Sequence, residues 1–132
     1  MVKKFIIASV IYLVLDGIWL GLIAKSFYFK SLGPIARRVG DSLKPDVLAS
    51  VLAYIVLVLG VLIFVLPKTN GQIIPALLYG ALMGLIVYGV YDFTNMATLN
   101  IWSWKLVVID LLWGTIAYAI VSAGTNLFSK II

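Results

Sequence analysis

The chain is organised as long apolar runs separated by short polar segments. The apolar runs cover residues 5–24, 47–66, 73–93 and 105–128 and contain few charges. Each has about 20 residues, the length that an α-helix needs to cross roughly 30 Å of hydrocarbon. The pattern predicts an all-α integral membrane protein with one domain over residues 1–132. We expect a four-transmembrane-helix bundle with short loops and one longer first loop.

The composition indicates the same class of protein. Hydrophobic residues make up 64% of the sequence and charged residues 11%, whereas soluble domains carry about 25% charged residues. A water-soluble fold of 132 residues could not bury so much apolar surface. We expect the first run to be a retained helix rather than a cleaved signal peptide, because it is long, carries Asp16 and lacks a small-residue cleavage site.

The residue types that are missing narrow the chemistry. The chain has no cysteine and no histidine, so we expect no disulfide, no metal site and no bound cofactor. It also lacks a glycine-rich phosphate loop, which disfavours nucleotide-dependent enzymes. The net charge of +5 suits the anionic headgroups of the lipid bilayer, which is the expected partner. We expect no binding to nucleic acid, because no soluble basic domain is present.

The first connection, residues 25–46, mixes apolar residues with five basic ones. These are Lys25, Lys30, Arg37, Arg38 and Lys44. Two interpretations remain open: a partly helical segment in the headgroup region that breaks at Gly33-Pro34, or a solvated positive loop. Six basic residues lie on the side of this loop and four on the side of the termini, so the positive-inside rule favours a cytoplasmic first loop.

Three aspartates fall within or at the end of the predicted spans. Asp16 lies near mid-bilayer, Asp110 lies about 9 Å below the interface, and Asp92 lies at the very end of the third span. A charged side chain at the centre of a span costs about 2.5–3.5 kcal/mol on insertion scales, so such residues are functional candidates. Helix direction places all three in the half of the bilayer opposite the termini, whichever way the protein is inserted.

A repeated motif surrounds the two deeper aspartates. Asp16 and Trp19 on the first span stand three residues apart, as do Asp110 and Trp113 on the fourth. Residues at this spacing are neighbours on one helix face. Each of these spans is therefore expected to present a carboxylate beside an indole ring.

Tyrosine and amide side chains extend these faces. Tyr12 lies one turn before Asp16, and the third span aligns Tyr88, Asp92 and Asn95 at helical spacing, with Tyr91 beside them. The stripes predict a pocket of carboxylates and aromatic walls, which suits a cation or proton exchange. The alternative is structural: buried aspartates accept hydrogen bonds and lock the helices together, while Asp92 and Asn95 suit the end of a helix.

Small residues at three- or four-residue spacing predict where helices approach closely. They are Gly17 and Gly21 in the first span, Ala76, Gly80 and Gly84 in the third, and Gly114 and Ala117 in the fourth. Such seams serve packing within the bundle or between two copies in a homodimer, and the sequence leaves both open. Trp102 and Trp104, which precede the fourth span, are expected to anchor it at the membrane interface.

Three short motifs carry a resemblance to a known family. They are Asp16-Gly17-Ile18-Trp19-Leu20, Tyr91-Asp92-Phe93-Thr94-Asn95 and Asp110-Leu111-Leu112-Trp113-Gly114. With them the chain resembles, over nearly its whole length, a family of small bacterial membrane proteins, the domain of unknown function 2177. The resemblance implies a multi-pass protein of the bacterial inner membrane and transfers no reaction. It implies that the residues to test are Asp16, Trp19, Tyr91, Asp92, Asn95, Asp110 and Trp113.

Three hypotheses of function follow. The favoured one is binding or transport of a lipophilic or cationic small molecule, coupled to protons through Asp16 and Asp110. Because four helices are few for a transporter, it predicts a homodimer. The second is a membrane-embedded enzyme that acts on a lipid or isoprenoid with paired aspartates as general acid and base. The third is a non-catalytic helper that binds lipid or a membrane protein.

Overall fold

The computed structural model describes all 132 residues, which form five helices and one short hairpin. The elements are α1 (Val2–Ile18), continued by a π-helical turn (Trp19–Ile23); α2 (Lys25–Leu32); β1 (Arg38–Val39); β2 (Ser42–Leu43); α3 (Val47–Gly60), continued by a π-helical turn (Val61–Val65) and a 3-10 turn (Leu66–Lys68); α4 (Ile73–Thr98); and α5 (Trp104–Ile131). Side-chain caps start two of the helices, because Asp46 accepts a hydrogen bond from Ala49 N and Ser103 accepts one from Leu106 N.

Four helical segments are long and apolar enough to cross a membrane. They are Val2–Ile23, Val47–Lys68, Ile73–Thr98 and Trp104–Ile131. The predicted all-α fold with four apolar helices is confirmed. Only 29 of the 132 residues are buried, and most outward-facing side chains are aliphatic, as expected where lipid rather than water surrounds the helices.

The third span is longer than the sequence predicted, and this changes the position of Asp92. The span was predicted to end at residue 93, but α4 continues to Thr98. Asp92 therefore lies inside the helix, fully buried, and the expected interfacial position at the helix end is wrong. Asn95 lies in the last turn, where its backbone oxygen accepts a hydrogen bond from Leu99 N.

The main helix interface joins α4 and α5 through small residues. Ala76, Gly80 and Gly84 are buried along α4, as is Gly114 on α5. A Cβ atom built on Gly84 would overlap the backbone of Gly114, and one built on Gly80 would lie 2.7 Å from Ser122 Oγ. The two backbones therefore pack in direct contact, as the seam in the third span predicted.

The glycine pair of the first span has no such role in this chain. Gly17 and Gly21 are exposed, and a Cβ atom built on either would meet no atom within 4 Å. The seam therefore does not pack within the bundle. Of the two alternatives that the sequence left open, contact with a second copy remains a proposal.

Two apolar clusters form the core. The larger lies in the half near the termini and centres on Tyr12, Tyr118, Val58 and Val121. The smaller lies beneath the first loop and joins Ala24 and Tyr28 to Trp102, Leu106 and Val107. The larger cluster closes the bundle on the side of the termini, and the smaller holds α2 against the start of α5.

The first loop is the partly helical segment that one interpretation described. Its helix α2 ends at Leu32, just before Gly33-Pro34, and buries Tyr28 against the bundle. The hairpin β1–β2 then leads to α3. The loop thus covers one end of the bundle instead of standing free in solvent.

Helix α3 is attached mainly through its C-terminal turns. Its contacts with α4 are made chiefly by Val61–Lys68, and the turn that follows is held by Asn126, whose Nδ2 donates to Thr69 Oγ1 at 2.8 Å. Towards its start, Val47, Leu48 and Leu52 are all more than half exposed. The N-terminal half of α3 therefore stands away from α4 and leaves a gap between the two helices.

The glycines give a direct test of this packing. Gly84→Ala should lower the free energy of unfolding by about 1–3 kcal/mol, because the added methyl overlaps the backbone of α5. Gly17→Ala should be neutral or stabilising by up to about 1 kcal/mol, because alanine favours helix and the site is open. Thermal and denaturant unfolding in detergent would measure both. Equal losses in the two variants would contradict the described interface.

Candidate functional site

Asp16 is held by donors from two other helices. Its side chain is 7% exposed. One carboxylate oxygen accepts a hydrogen bond from Trp113 Nε1 at 2.9 Å, and the other accepts one from Tyr54 Oη at 2.9 Å. Asp16 therefore connects α1 to α5 and to α3 in a region where water is not available to satisfy a carboxylate.

Asp110 is connected back to α1 through a tyrosine of the first loop. Tyr28 Oη donates to Asp110 Oδ1, and Trp19 Nε1 donates to Tyr28 Oη at 3.3 Å. The rings of Trp19 and Trp113 stack with their centroids 4.6 Å apart and their planes within 5°. The two Asp-Trp motifs are therefore connected between α1 and α5. Trp113 donates to Asp16 directly, and Trp19 is connected to Asp110 through the hydroxyl of Tyr28.

Asp92 completes the group of carboxyls. It accepts a hydrogen bond from Trp102 Nε1 at 3.1 Å and is fully buried. Trp102 is only 6% exposed, so its expected role as an interfacial anchor is wrong, whereas Trp104 is 63% exposed. The second oxygen of Asp92 has no donor in the protein.

The predicted tyrosines divide between core and cavity. Tyr12 is fully buried in the larger cluster, and its hydroxyl lies 3.4 Å from that of Tyr88. Tyr88 and Tyr91 line open space beside the carboxyls. Asn95 is half-buried near Tyr91 and makes no side-chain contact with the aspartates. The structure thus brings Asp16, Asp110, Trp113, Tyr88 and Tyr91 together and leaves Tyr12 and Asn95 outside.

A cavity of about 280 Å³ contains two of the carboxyl groups, and we call it the central cavity. Its lining residues are Asp16, Leu20, Tyr28, Leu32, Leu43, Tyr88, Tyr91, Asp110 and Trp113. A second space of about 490 Å³, the side cavity, lies between α1 and α3 beneath the hairpin and shares Asp16, Leu20, Tyr28 and Leu43 with it. Asp16 is therefore reached from both spaces.

An apolar groove runs along the gap between α3 and α4. This α3–α4 groove has a volume of about 530 Å³, and its lining is entirely hydrophobic. Leu52 and Val56 form one wall, and Val87 forms the other with Tyr88 and Tyr91. The same two tyrosines line the central cavity, so the groove and the cavity border the same pair of side chains.

The central cavity has acidic lining residues but no basic ones. The hydrogen-bond partners of the three aspartates are tyrosines and tryptophans, and no lysine or arginine lines the cavity. The side cavity, in contrast, has one basic lining residue, Lys25. No group of three or more acidic residues is arranged to hold a metal ion. The site therefore contains two buried carboxyl groups with no basic side chain among the lining residues.

Tyr28 lies outside the membrane spans, in α2, and its hydroxyl is the hydrogen-bond donor to Asp110. Burial raises the pKa of the Tyr28 hydroxyl, and the hydrogen bond to Asp110 and its charge raise the pKa further. The hydroxyl therefore stays protonated through the neutral range and continues to donate to Asp110.

Sequence reasoning missed three residues of the site. Tyr54 lies within the second apolar run, and it is the one aromatic residue of α3. Tyr28 belonged to the first loop, for which neither of the two open interpretations included a contact with the aspartates, and Trp102 was assigned to the interface. Each donates a hydrogen bond to an intramembrane aspartate. The number of hydrogen-bond donors could have indicated them, because three buried carboxyl groups need more donors than the predicted helix faces supply.

Comparison with known proteins places the chain in a family. No curated protein and no solved structure matches it. The family model described as "Predicted membrane protein (DUF2177)" matches residues 1–127, which is nearly the whole chain. With its four apolar helices and three intramembrane aspartates, this membrane protein therefore belongs to the DUF2177 family.

Proposed function

We propose that this is a protein of the bacterial inner membrane that binds a lipophilic organic cation between Asp16 and Asp110. The observation that carries the proposal is the central cavity: two buried carboxyl groups line it, and no basic residue does. An uncompensated charge in hydrocarbon is costly, and a cationic ligand supplies the missing partner. The absence of a three-ligand acidic group favours an organic cation over a metal ion.

The walls of the central cavity suit such a ligand. Tyr28, Tyr88, Tyr91 and Trp113 surround the two carboxyls, so a cation there meets ring faces as well as negative charge. A volume of about 280 Å³ is at the lower end for small-molecule sites, which fits an ammonium-like head and not a whole drug-sized molecule. The head of the ligand is therefore placed in the central cavity.

The apolar part of the ligand is placed in the α3–α4 groove. The groove shares Tyr88 and Tyr91 with the central cavity, and it is open to the surrounding lipid. A molecule dissolved in the bilayer could enter sideways between α3 and α4 without passing through water. This route supports an amphiphilic ligand that carries one charged and one hydrophobic end.

Transport is the further step of the proposal. The larger core cluster, with Tyr12 and Tyr118 fully packed, closes the bundle beyond the cavity. Movement of the ligand to the other side would require a rearrangement of α3 or a second copy. The exposed pair Gly17 and Gly21, which lines the side cavity, is a candidate contact for a homodimer. Proton coupling would follow if a carboxyl releases its proton when the cation arrives.

One observation favours the enzyme hypothesis as a second candidate. Asp92 and Asp110 are both buried on the packed helices α4 and α5, and paired carboxyls can divide into an acid and a base. Asp92, however, is fully buried behind Trp102 and lines neither cavity that contains Asp16. A substrate could reach Asp110 but not Asp92, so cation binding is the better supported function.

Binding can be tested with a pair of hydrophobic ions of equal size. Wild-type protein in phosphatidylcholine nanodiscs should bind tetraphenylphosphonium above the level of empty nanodiscs, and it should not bind the anion tetraphenylborate. Asp16→Asn and Asp110→Asn should each reduce the affinity for the cation at least about tenfold, since a buried charge pair is worth more than 1.4 kcal/mol. Asp41→Asn, which removes the same charge from the exposed hairpin turn, is the matched control.

Unfolding measurements separate this proposal from a purely structural role. Asparagine retains an acceptor oxygen, so each variant should lose only about 1–2 kcal/mol of stability. Leu20→Trp, which fills both cavities at their shared wall without touching an aspartate, should also block binding. Equal cation binding by wild type and all three variants would overturn the proposal. Loss of folding in both asparagine variants with undiminished binding in Leu20→Trp would support the structural lock.

Proton exchange makes a separate prediction about pH. If one proton leaves for each cation bound, the affinity for tetraphenylphosphonium should rise with pH by up to about tenfold per unit while the carboxyls titrate. Tyr28 adds nothing to this dependence, because its raised pKa keeps it protonated. Isothermal titration in two buffers of different ionisation enthalpy would count the protons released. An affinity that is independent of pH would remove proton coupling and leave cation binding intact.

A further inference from the structure

The hairpin of the first loop concentrates positive charge on one small surface. Arg38 on β1 pairs with Leu43 on β2, and Lys44 N donates to Arg37 O at 2.8 Å, which extends the register by one pair. Arg37 and Lys44 are therefore cross-strand neighbours, with Arg38 beside them. Like charges placed directly opposite one another destabilise a hairpin. An anion between them would remove that repulsion.

These three residues line one surface depression of about 580 Å³. All three are exposed. The acidic residue in the same lining, Asp46, is occupied as the cap of α3, where its Oδ1 accepts from Ala49 N at 2.8 Å. The depression is therefore lined by three basic residues, of which Arg37 and Lys44 are cross-strand neighbours, and by one carboxylate that caps the helix.

The position of the depression identifies the kind of anion. The hairpin lies between the ends of two membrane spans, since the first ends at Ile23 and α3 begins at Val47. Val47 and Leu48 line the same depression and are 77% and 68% exposed. A site with basic side chains above and bare aliphatic side chains below matches a molecule with an anionic head and hydrocarbon chains.

We infer that Arg37, Arg38 and Lys44 bind the phosphate headgroup of an anionic phospholipid, whose acyl chains lie on Val47 and Leu48. This site differs from the central cavity in the sign of its charge and in the residues that form it. Its existence does not depend on cation binding at Asp16 and Asp110, and neither result would decide the other. A free phosphate ester shares the headgroup chemistry but would gain nothing from the aliphatic surface.

The test is retention of lipid by the purified full-length protein. Protein from nanodiscs of equal parts phosphatidylglycerol and phosphatidylcholine would be released for native mass spectrometry. Wild type should retain phosphatidylglycerol in preference to phosphatidylcholine. The variant Arg37→Gln/Arg38→Gln/Lys44→Gln should lose that preference by about tenfold or more, because each basic residue at a membrane surface contributes appreciably to binding anionic lipid.

A matched variant removes the same charge from the other end of the molecule. Lys3→Gln/Lys4→Gln/Lys130→Gln should keep the preference of wild type. If both triple variants lose it equally, net charge alone explains the binding, and the site is wrong. If the hairpin variant fails to fold, Arg37→Gln/Lys44→Gln, which removes the cross-strand pair alone, should show the same loss; retention of the preference there would overturn the proposal.

A soluble competitor distinguishes the two sources of phosphate. Excess glycerol 3-phosphate should leave the retained phosphatidylglycerol in place, because it lacks the chains that contact Val47 and Leu48. Val47→Ser/Leu48→Ser should weaken retention of the lipid while leaving the basic residues unchanged. Displacement of the lipid by glycerol 3-phosphate would show a site for free phosphate esters and would overturn the assignment to a membrane lipid.

Discussion

A carboxyl group surrounded by hydrocarbon has no water to satisfy it, so the protein must supply its donors. For Asp16 that need is met at both oxygens by hydrogen bonds from two other helices. Asp16 draws Trp113 and Tyr54 towards α1, and Asp110 draws Tyr28 towards α5. The stacked rings of Trp19 and Trp113 fill the space between. The positions of α1, α3, α5 and the first loop around one point all depend on these contacts.

The arrangement explains why so much of the fold could be predicted and why part of the site could not. Length and hydropathy are properties of each run alone, so the four spans could be identified without knowledge of their neighbours. The convergence of the aspartates in one half of the bilayer followed from helix direction. The donors to those aspartates depend on tertiary contact: no periodicity within α3 shows that Tyr54 faces Asp16, and no spacing within the loop shows that Tyr28 reaches Asp110.

The errors have physical causes of the same kind. The third span was ended at residue 93 because polar residues follow, but Asp92 is stabilised by Trp102 and the helix continues to Thr98. Trp102 looked like an anchor because tryptophans are common at interfaces, and it is instead turned inwards by that carboxyl. The pair Gly17 and Gly21 was left open between a seam within the bundle and one between two copies, and it makes no close contact within the chain, because small residues permit close approach without requiring it.

The attachment of α3 has a mechanical consequence. Its C-terminal turns are embedded in the core, while Val47, Leu48 and Leu52 in its first turns are more than half exposed. Helix α3 is therefore expected to pivot near Val61, and the hydrogen bond from Tyr54 to Asp16 restrains its N-terminal half. A change in the charge on Asp16 also changes the strength of this hydrogen bond. The width of the gap between α3 and α4 would then depend on the ionic state of a single carboxyl group, which would make the lipid-facing entrance responsive to the occupant of the cavity behind it.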